Sequence, residues 1–241
     1  MDFIRGNVET NAEELTSLLL RSPLLRRIAP YTLGGYARFR EIVDNDGALP
    51  ARIKALYVAV AATTKGYPEL ARRELHRARC LGLEFAQASA AAIILSSVRG
   101  EGAALSFITA LENEYPGSTG GDTPMPVKDV APGEAEKNFL HYFGSMPPSL
   151  GKLLSLLPLG GDAYYLMREG TINGTPLGSK YSELMLVAVL AADYSPLTAV
   201  HIKGARTAGA SETEIAEAIV CTVLTSGLSA WVSGAAAMDA A

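Results

Sequence analysis

Apolar residues recur along this chain at helical spacing, and no useful stretch alternates polar and apolar positions as a strand would. Proline and glycine mark the breaks between apolar stretches. The sequence therefore predicts an all-α fold. In the first half, helices are predicted over residues 12–45 as two segments that break near Pro30, from Pro50 to about Thr64, from Pro68 to near Gly82, from there to about Val98, and from Gly100-Glu-Gly to Glu112.

The second half has the same plan. Ser179 is the expected N-cap of a helix that runs to Ala192, and Ser195 with proline behind it is expected to begin the next helix. Gly209 is expected to end that helix. A capping box over Ser211-Glu-Thr-Glu214 then leads into an apolar helix.

Displacing the sequence by 127 residues brings the two halves into register. The matched pairs that carry most weight are Gly82 with Gly209, Gly100 with Gly227, and Tyr67 with Tyr194. A repeat of this length predicts a duplicated domain rather than a solenoid. We expect a first copy over 1–114, a linker over 115–135 that is rich in Gly, Pro, Ser and Thr, and a second copy over 136–241.

Composition narrows the class of protein. The 241 residues are 49% hydrophobic and 19% charged, with a formal net charge of −4, which gives no indication of a nucleic-acid surface. Cys80 and Cys221 are not matched in the repeat and lie in no Cys-x-x-Cys motif, so we expect a reducing compartment. The N-terminus has no apolar signal-peptide run, and the predicted location is cytoplasmic.

The segment Ala218–Met238 carries no charge, so it could suit either a membrane or a buried interface. Its counterpart in the first half contains Arg99 and Glu101, which disfavours a membrane span. We therefore expect neighbouring copies of the chain to bury it in a homo-oligomer.

His201 is the main candidate for chemistry. Leu197, His201, Ala205 and Gly209 recur every four residues and so share one helix face, where a lone histidine is ordinarily a packing residue. A nearby helix N-terminus disfavours its imidazolium form. In the first half, Glu74 stands at the matched position.

Acidic and aromatic residues near His201 in the sequence could have either a structural or a functional role. Glu183 could complement its helix dipole or orient His201, and its counterpart Leu56 shows that packing does not require an acid there. Glu214 is explained by the capping box. Glu217 lies one turn later beside the apolar ladder, and Tyr194 is either a shared packing residue or part of a pocket wall.

The ordered set Glu183-Leu184, His201, Ala205, Gly209 and Glu214-Ile215-Ala216-Glu217 resembles the carboxymuconolactone decarboxylase family, which includes alkylhydroperoxidase-type proteins. The resemblance covers residues 150–238, and 30–112 more weakly. It implies cofactor-free lyase chemistry on a small anionic lactone or unsaturated keto acid. His201 would donate a proton, Glu183 would set its tautomer, and Tyr194 and Glu217 would bind substrate. It also implies a homo-oligomer, with a trimer favoured.

Redox members of that family carry Cys-x-x-Cys, and Tyr194 and Leu197 occupy those positions here, so thiol peroxidase activity is not expected. Three scattered histidines give no metal-binding spacing, and no phosphate-binding loop occurs. The alternatives are a cofactor-free isomerase, a lactone hydrolase, or a non-catalytic assembly protein with the same fold.

Overall fold

The computed structural model describes residues 17–118, 120 and 128–241, and over that part of the chain every regular element is an α-helix. The prediction of an all-α protein is therefore confirmed. The helices are α1 (Pro23–Ile28), α2 (Pro30–Asp44), α3 (Ala51–Thr64), α4 (Pro68–Cys80), α5 (Phe85–Val98), α6 (Glu101–Glu114), α7 (Glu134–Phe143), α8 (Pro148–Leu156), α9 (Pro158–Ile172), α10 (Gly178–Ala192), α11 (Thr198–Thr207), α12 (Glu212–Ser226) and α13 (Leu228–Ala240).

Helix boundaries follow local rules of chain chemistry. Proline, whose missing N–H is harmless at a helix start, opens α1, α2, α4, α8 and α9. At α12 the predicted capping box is present, because Ser211 Oγ accepts from the Glu214 N–H at 3.2 Å and Glu214 Oε2 accepts from the Ser211 N–H at 2.7 Å.

Two predicted helix starts were wrong. Ser179 is not an N-cap: α10 already begins at Gly178, and the Ser179 hydroxyl donates to Asn173 Oδ1 instead. Helix α11 begins at Thr198 rather than directly after Ser195, because residues 196 and 197 form a turn in which Ser195 Oγ accepts from the Leu197 N–H. Residues 12–16 of the first predicted helix lie outside the described residues.

Five successive helices in each half correspond in order, and all but the pair α4 and α11 agree in length to within one residue. Helices α2–α6 match α9–α13, and α3 and α10 begin 127 positions apart, at Ala51 and Gly178. The matched glycines also share a backbone conformation: Gly82 and Gly209 both have φ of +87°, a region that other residues rarely occupy. These correspondences support the proposed duplication.

The two halves share one hydrophobic core. Helices α3 and α10 are almost wholly buried and pack against each other and against α12. The halves also exchange helices, because α2 of the first half packs on α12 and α9 of the second half packs on α5. A smaller cluster beside this core holds α7 and α8 against α9 through Phe139, Leu150 and Tyr165.

The uncharged segment Ala218–Met238 is divided between core and surface. Residues Ala218 to Leu224 are buried within the chain itself, which corrects the expectation that neighbouring copies would bury the whole segment. Leu228 and Val232 are about two-thirds exposed. Within the described part of the chain, no helix combines the length and apolarity needed to cross a membrane.

Candidate active site

Glu183 is a buried carboxylate in the middle of the core. It lies in α10, where Ser182 through Ala192 are all buried, and only 2% of its own surface is exposed. A buried carboxylate needs hydrogen bonds to offset its lost hydration. Its Oε2 lies 2.8 Å from His201 Nδ1, and its Oε1 accepts a hydrogen bond from the Tyr142 hydroxyl at 2.8 Å. The structure therefore brings the predicted pair Glu183 and His201 together.

Room for this carboxylate comes from Gly204, one turn after His201 on α11. A Cβ atom at position 204 would lie 2.5 Å from Glu183 Oε1 and 2.6 Å from Cδ. No side chain other than hydrogen fits there while the carboxylate keeps its place. The four-residue spacing in the sequence pointed to Ala205 and Gly209 on this helix, and Gly204 was missed.

The hydrogen bond to Glu183 fixes the chemistry of the imidazole. A carboxylate accepts, so we assign the proton of neutral His201 to Nδ1, which leaves the lone pair on Nε2. Nε2 makes no hydrogen bond with any described residue, and His201 lines a cavity. This arrangement orients the ring and stabilises the imidazolium whenever Nε2 takes up a proton.

The cavity beside His201, here called the histidine cavity, measures about 140 Å³ and is mostly apolar. Helices α7, α9, α10 and α11 supply most of its wall, while the end of α5 brings two residues from the first half. The lining comprises Ser97, Val98, Tyr142, Phe143, Tyr164, Met167, Arg168, Thr171, Ile172, Leu186, Leu197, Val200 and His201.

A second cavity, here called the glutamate cavity, is larger, about 590 Å³, and more polar. Glu183 lines it, together with Asn138, Lys203 and Gly204. The Glu183–His201 pair therefore lies in the wall between a mainly apolar chamber and a polar one. The residues that line both cavities are Tyr142, Phe143, Arg168, Ile172 and Val200.

Tyr142 and Arg168 are site residues that the sequence did not reveal. Burial raises the pKa of the Tyr142 hydroxyl, and the neighbouring Glu183 carboxylate raises it further, so Tyr142 stays a hydrogen-bond donor. The Arg168 guanidinium lies 3.6 Å from the centroid of the Tyr142 ring. The sequence held one signal for Arg168: it is a charged residue that shares a face of α9 with Tyr165 and Ile172.

Tyr194 and Glu217 line neither cavity. The Tyr194 hydroxyl donates to the Ser226 carbonyl at 2.6 Å, and its side chain is 44% exposed. Glu217 faces the first half, where its carboxylate accepts from the Ala48 and Leu49 N–H groups at 2.9 and 2.8 Å and pairs with Lys54 at 3.2 Å. The contacts of Glu217 join the two halves.

The matched positions in the first half hold a different network. Glu74, which corresponds to His201, is 2% exposed and bonds to Arg40 and Arg77 at 2.7 and 2.9 Å. Arg77 itself stands where the second half has Gly204, and buried Leu56 stands where it has Glu183. The first half therefore has an ion-pair network instead of a carboxylate–imidazole pair.

Neither cysteine lines the two cavities. Burial raises the pKa of the Cys221 thiol to about 12, which keeps it protonated and unreactive near neutral pH. Among the residues that the structure describes, no group of three or more His, Cys, Asp or Glu side chains could hold a metal ion.

Part of the chain is similar to a known protein family. Residues 158–240, which include Glu183, His201 and Gly204, match the model of the Carboxymuconolactone decarboxylase family. Helices α9–α13 lie within these matched residues, while Tyr142 reaches the site from α7, outside them.

A solved structure shares the fold over the whole chain. It is a candidate gamma-carboxymuconolactone decarboxylase subunit from Burkholderia xenovorans LB400, with a TM-score of 0.57, 20% sequence identity, and coverage of 97% of this chain and 98% of that one. The shared fold thus extends beyond the residues that match the family and into the first half. No curated protein matches the chain.

Proposed function

We propose that this protein is a cofactor-free carboxy-lyase that acts on a small anionic lactone or unsaturated keto acid, with His201 and Glu183 as its acid–base pair. The observation that carries the proposal is the buried Glu183–His201 hydrogen bond in the wall of a ligand-sized cavity, with both residues inside the segment that matches the family. A conformationally fixed imidazole beside an apolar chamber is the arrangement that proton transfer to a bound dienolate needs.

The reaction would proceed without an added electron acceptor. The bond between the substrate carbon and its carboxylate breaks, carbon dioxide leaves, and the electron pair moves into a conjugated carbonyl to give a dienolate. Protonated His201 then gives its Nε2 proton to the dienolate carbon. The Glu183 carboxylate, still bonded to Nδ1, stabilises the imidazolium that donates this proton.

Lactone hydrolysis is the second candidate, and the tautomer favours it. Neutral His201 with its lone pair on Nε2 can take a proton from water, which would then attack a lactone carbonyl. The two reactions differ in their products, because hydrolysis retains the carboxylate and decarboxylation releases carbon dioxide.

We further propose that the protein works as a homo-oligomer, with a trimer favoured. The support is an apolar strip on α13 that the described part of the chain leaves exposed, formed by Leu228, Trp231 and Val232. Exposed apolar surface of this kind is typical of contact between subunits.

The testing experiment is a screen of unsaturated lactones and keto acids, with carbon dioxide release and ultraviolet absorbance followed together. Carbon dioxide release that depends on His201 would support the lyase, and absorbance change without it would support the hydrolase or an isomerase. If no compound is turned over while ligands still bind, the protein is a binding or assembly protein.

A further inference from the structure

Arg168 is the one charged side chain that lines both cavities, among the residues that the structure describes. It lies on α9 with only 8% of its surface exposed. A buried guanidinium needs acceptors for its N–H groups, because an unpaired buried donor loses the hydration it had in water. The five N–H groups of Arg168 therefore need acceptors in the protein, in water or in a ligand.

One edge of the guanidinium is held by the protein. Nη1 donates to Asn138 Oδ1 at 2.6 Å and to Glu169 Oε1 at 2.9 Å. Asn138 in turn donates to the same Glu169 oxygen at 3.0 Å, and the Tyr142 ring lies against the guanidinium. These contacts fix the position and plane of the group.

The opposite edge has no protein partner. Nε is covered by neighbouring atoms and has no hydrogen bond, and the hydrogen bonds of Arg168 to the described residues all run through Nη1. The N–H bonds of Nε and Nη2 point in parallel, at the spacing of the two oxygens of a carboxylate. An arginine that is held at one edge and lacks acceptors at the other is suited to bind a ligand there, once the atoms packed over Nε give way.

We propose that the Nε–Nη2 edge of Arg168 binds a carboxylate of the ligand and so orients it in the histidine cavity. This deepens the proposed function and rests on it, because it names the residue that recognises the acid. Arg168 is then a specificity-determining residue, while proton transfer stays with His201.

The charges around Arg168 favour a monoanionic carboxylate over a phosphate. Glu169 already occupies the far edge, and Glu183 lies in the adjoining wall, so a dianion would add repulsion from two carboxylates. The planar fork also matches a planar acid group better than a tetrahedral one. The group that binds at this edge is therefore a carboxylate, while the mostly apolar histidine cavity suits an apolar body for the rest of the ligand.

Benzoate is a suitable probe, because the histidine cavity of about 140 Å³ is close in size to an apolar cavity of about 150 Å³ that binds benzene. Benzamide has the same shape without the charge. Binding of both to the intact protein would be measured by calorimetry or ligand-observed NMR at constant ionic strength. We expect benzoate to bind at least about tenfold more tightly than benzamide, as a charge-assisted pair predicts.

Variants test whether Arg168 causes the preference for benzoate over benzamide. In Arg168→Gln the benzoate affinity should fall to that of benzamide, while the benzamide affinity stays within about twofold. Arg168→Lys should keep only part of the preference, because an ammonium group lacks the fork. Lys203→Gln, on the wall of the glutamate cavity alone, is the matched control and should leave the preference unchanged.

Equal affinity for the two probes in the wild-type protein would overturn the proposal, and this measurement does not depend on whether Arg168→Gln folds. A benzoate preference that survives in folded Arg168→Gln would also overturn it. The outcome is separable from that of the proposed function. If Arg168 recognises a carboxylate but no compound is turned over, the inference about Arg168 stands and the lyase proposal fails. If turnover depends on His201 but shows no carboxylate preference, the lyase proposal stands and the inference about Arg168 fails.

Discussion

At the residue scale, the site depends on a carboxylate that is held from three sides. His201 and Tyr142 bond to the two oxygens of Glu183, and Gly204 leaves the space that the carboxylate occupies. Each of these residues can be changed singly, and each change removes a different part of the arrangement: the proton carrier, a hydrogen-bond donor or the space.

Replacement of His201 by alanine should lower turnover of an identified substrate by about 10²-fold or more, because general acid–base catalysis typically contributes 10²–10⁴-fold. The fold should survive with reduced stability, because Glu183 keeps only the hydrogen bond from Tyr142. His76→Ala is the matched control, because His76 pairs with Glu114 in the first half and lines neither cavity. Full activity in His201→Ala would show that the acid–base assignment is wrong.

Replacement of Tyr142 by phenylalanine should lower the free energy of unfolding by about 1–3 kcal/mol, because Glu183 Oε1 loses its donor in a buried setting. Denaturant titration measures this change. Tyr164→Phe is the control, since Tyr164 lines the same cavity and its hydroxyl makes no hydrogen bond with the described residues. Equal stability losses in the two variants would argue against a special role for Tyr142.

At the element scale, α11 approaches α10 closely at Gly204. Gly204→Ala should displace the Glu183 carboxylate and reduce turnover sharply, although alanine usually favours a helix. Gly102→Ala is the matched control, because a Cβ atom at position 102 of α6 meets nothing within 4 Å. We expect Gly102→Ala to be neutral or stabilising by up to about 1 kcal/mol in thermal and denaturant unfolding. Retained turnover in Gly204→Ala would contradict the packing argument.

The start of α12 couples helix capping to pH. Burial raises the pKa of Glu214, but hydrogen bonds from Lys180 and the Ser211 N–H outweigh it, so the pKa is below its ordinary value in the folded state. A lowered folded-state pKa stabilises the fold above the unfolded-state pKa of about 4.3, and this contribution is lost as the pH falls through the folded-state value.

Glutamine at position 214 keeps the capping geometry and loses the charge. Glu214→Gln should therefore be less stable than wild type at pH 7, and the difference should shrink as the pH falls through the folded-state pKa, below which the carboxylate is protonated in both states. Urea titrations over a descending pH series measure this. A difference that stays constant with pH would mean that the cap, not the charge, carries the effect.

At the scale of the whole molecule, the exposed strip of Leu228, Trp231 and Val232 predicts self-association. Sedimentation should give an oligomer at micromolar concentration, most simply a trimer. Val232→Glu should shift the protein toward smaller species, because it introduces a charge into the strip. Lys152→Glu, on a different helix, α8, serves as the charge control. A monomeric wild-type protein would contradict the assembly proposal.

Much of this architecture could be predicted from sequence because its determinants are local. Proline starts, glycine stops and the Ser211 capping box locate the helices, and four-residue spacing puts His201 on one face of α11. Tyr142 and Arg168 could not be predicted in this way. They reach the site from α7 and α9 through tertiary packing, which leaves no periodic signal that links them to Glu183. Tyr194 and Glu217 lie near His201 in sequence, but their side chains contact other parts of the chain.

The Arg40–Glu74–Arg77 network in the first half separates the two halves by several mutational steps. Installing a carboxylate–imidazole pair there would need at least three changes together: Leu56→Glu, Glu74→His and Arg77→Gly. Leu56→Glu alone would bury a carboxylate without a partner, at a cost of about 3–5 kcal/mol. That is a large share of the 5–15 kcal/mol that typically holds a protein folded. Selection acting one substitution at a time therefore cannot easily give the first half the carboxylate–imidazole pair of the second.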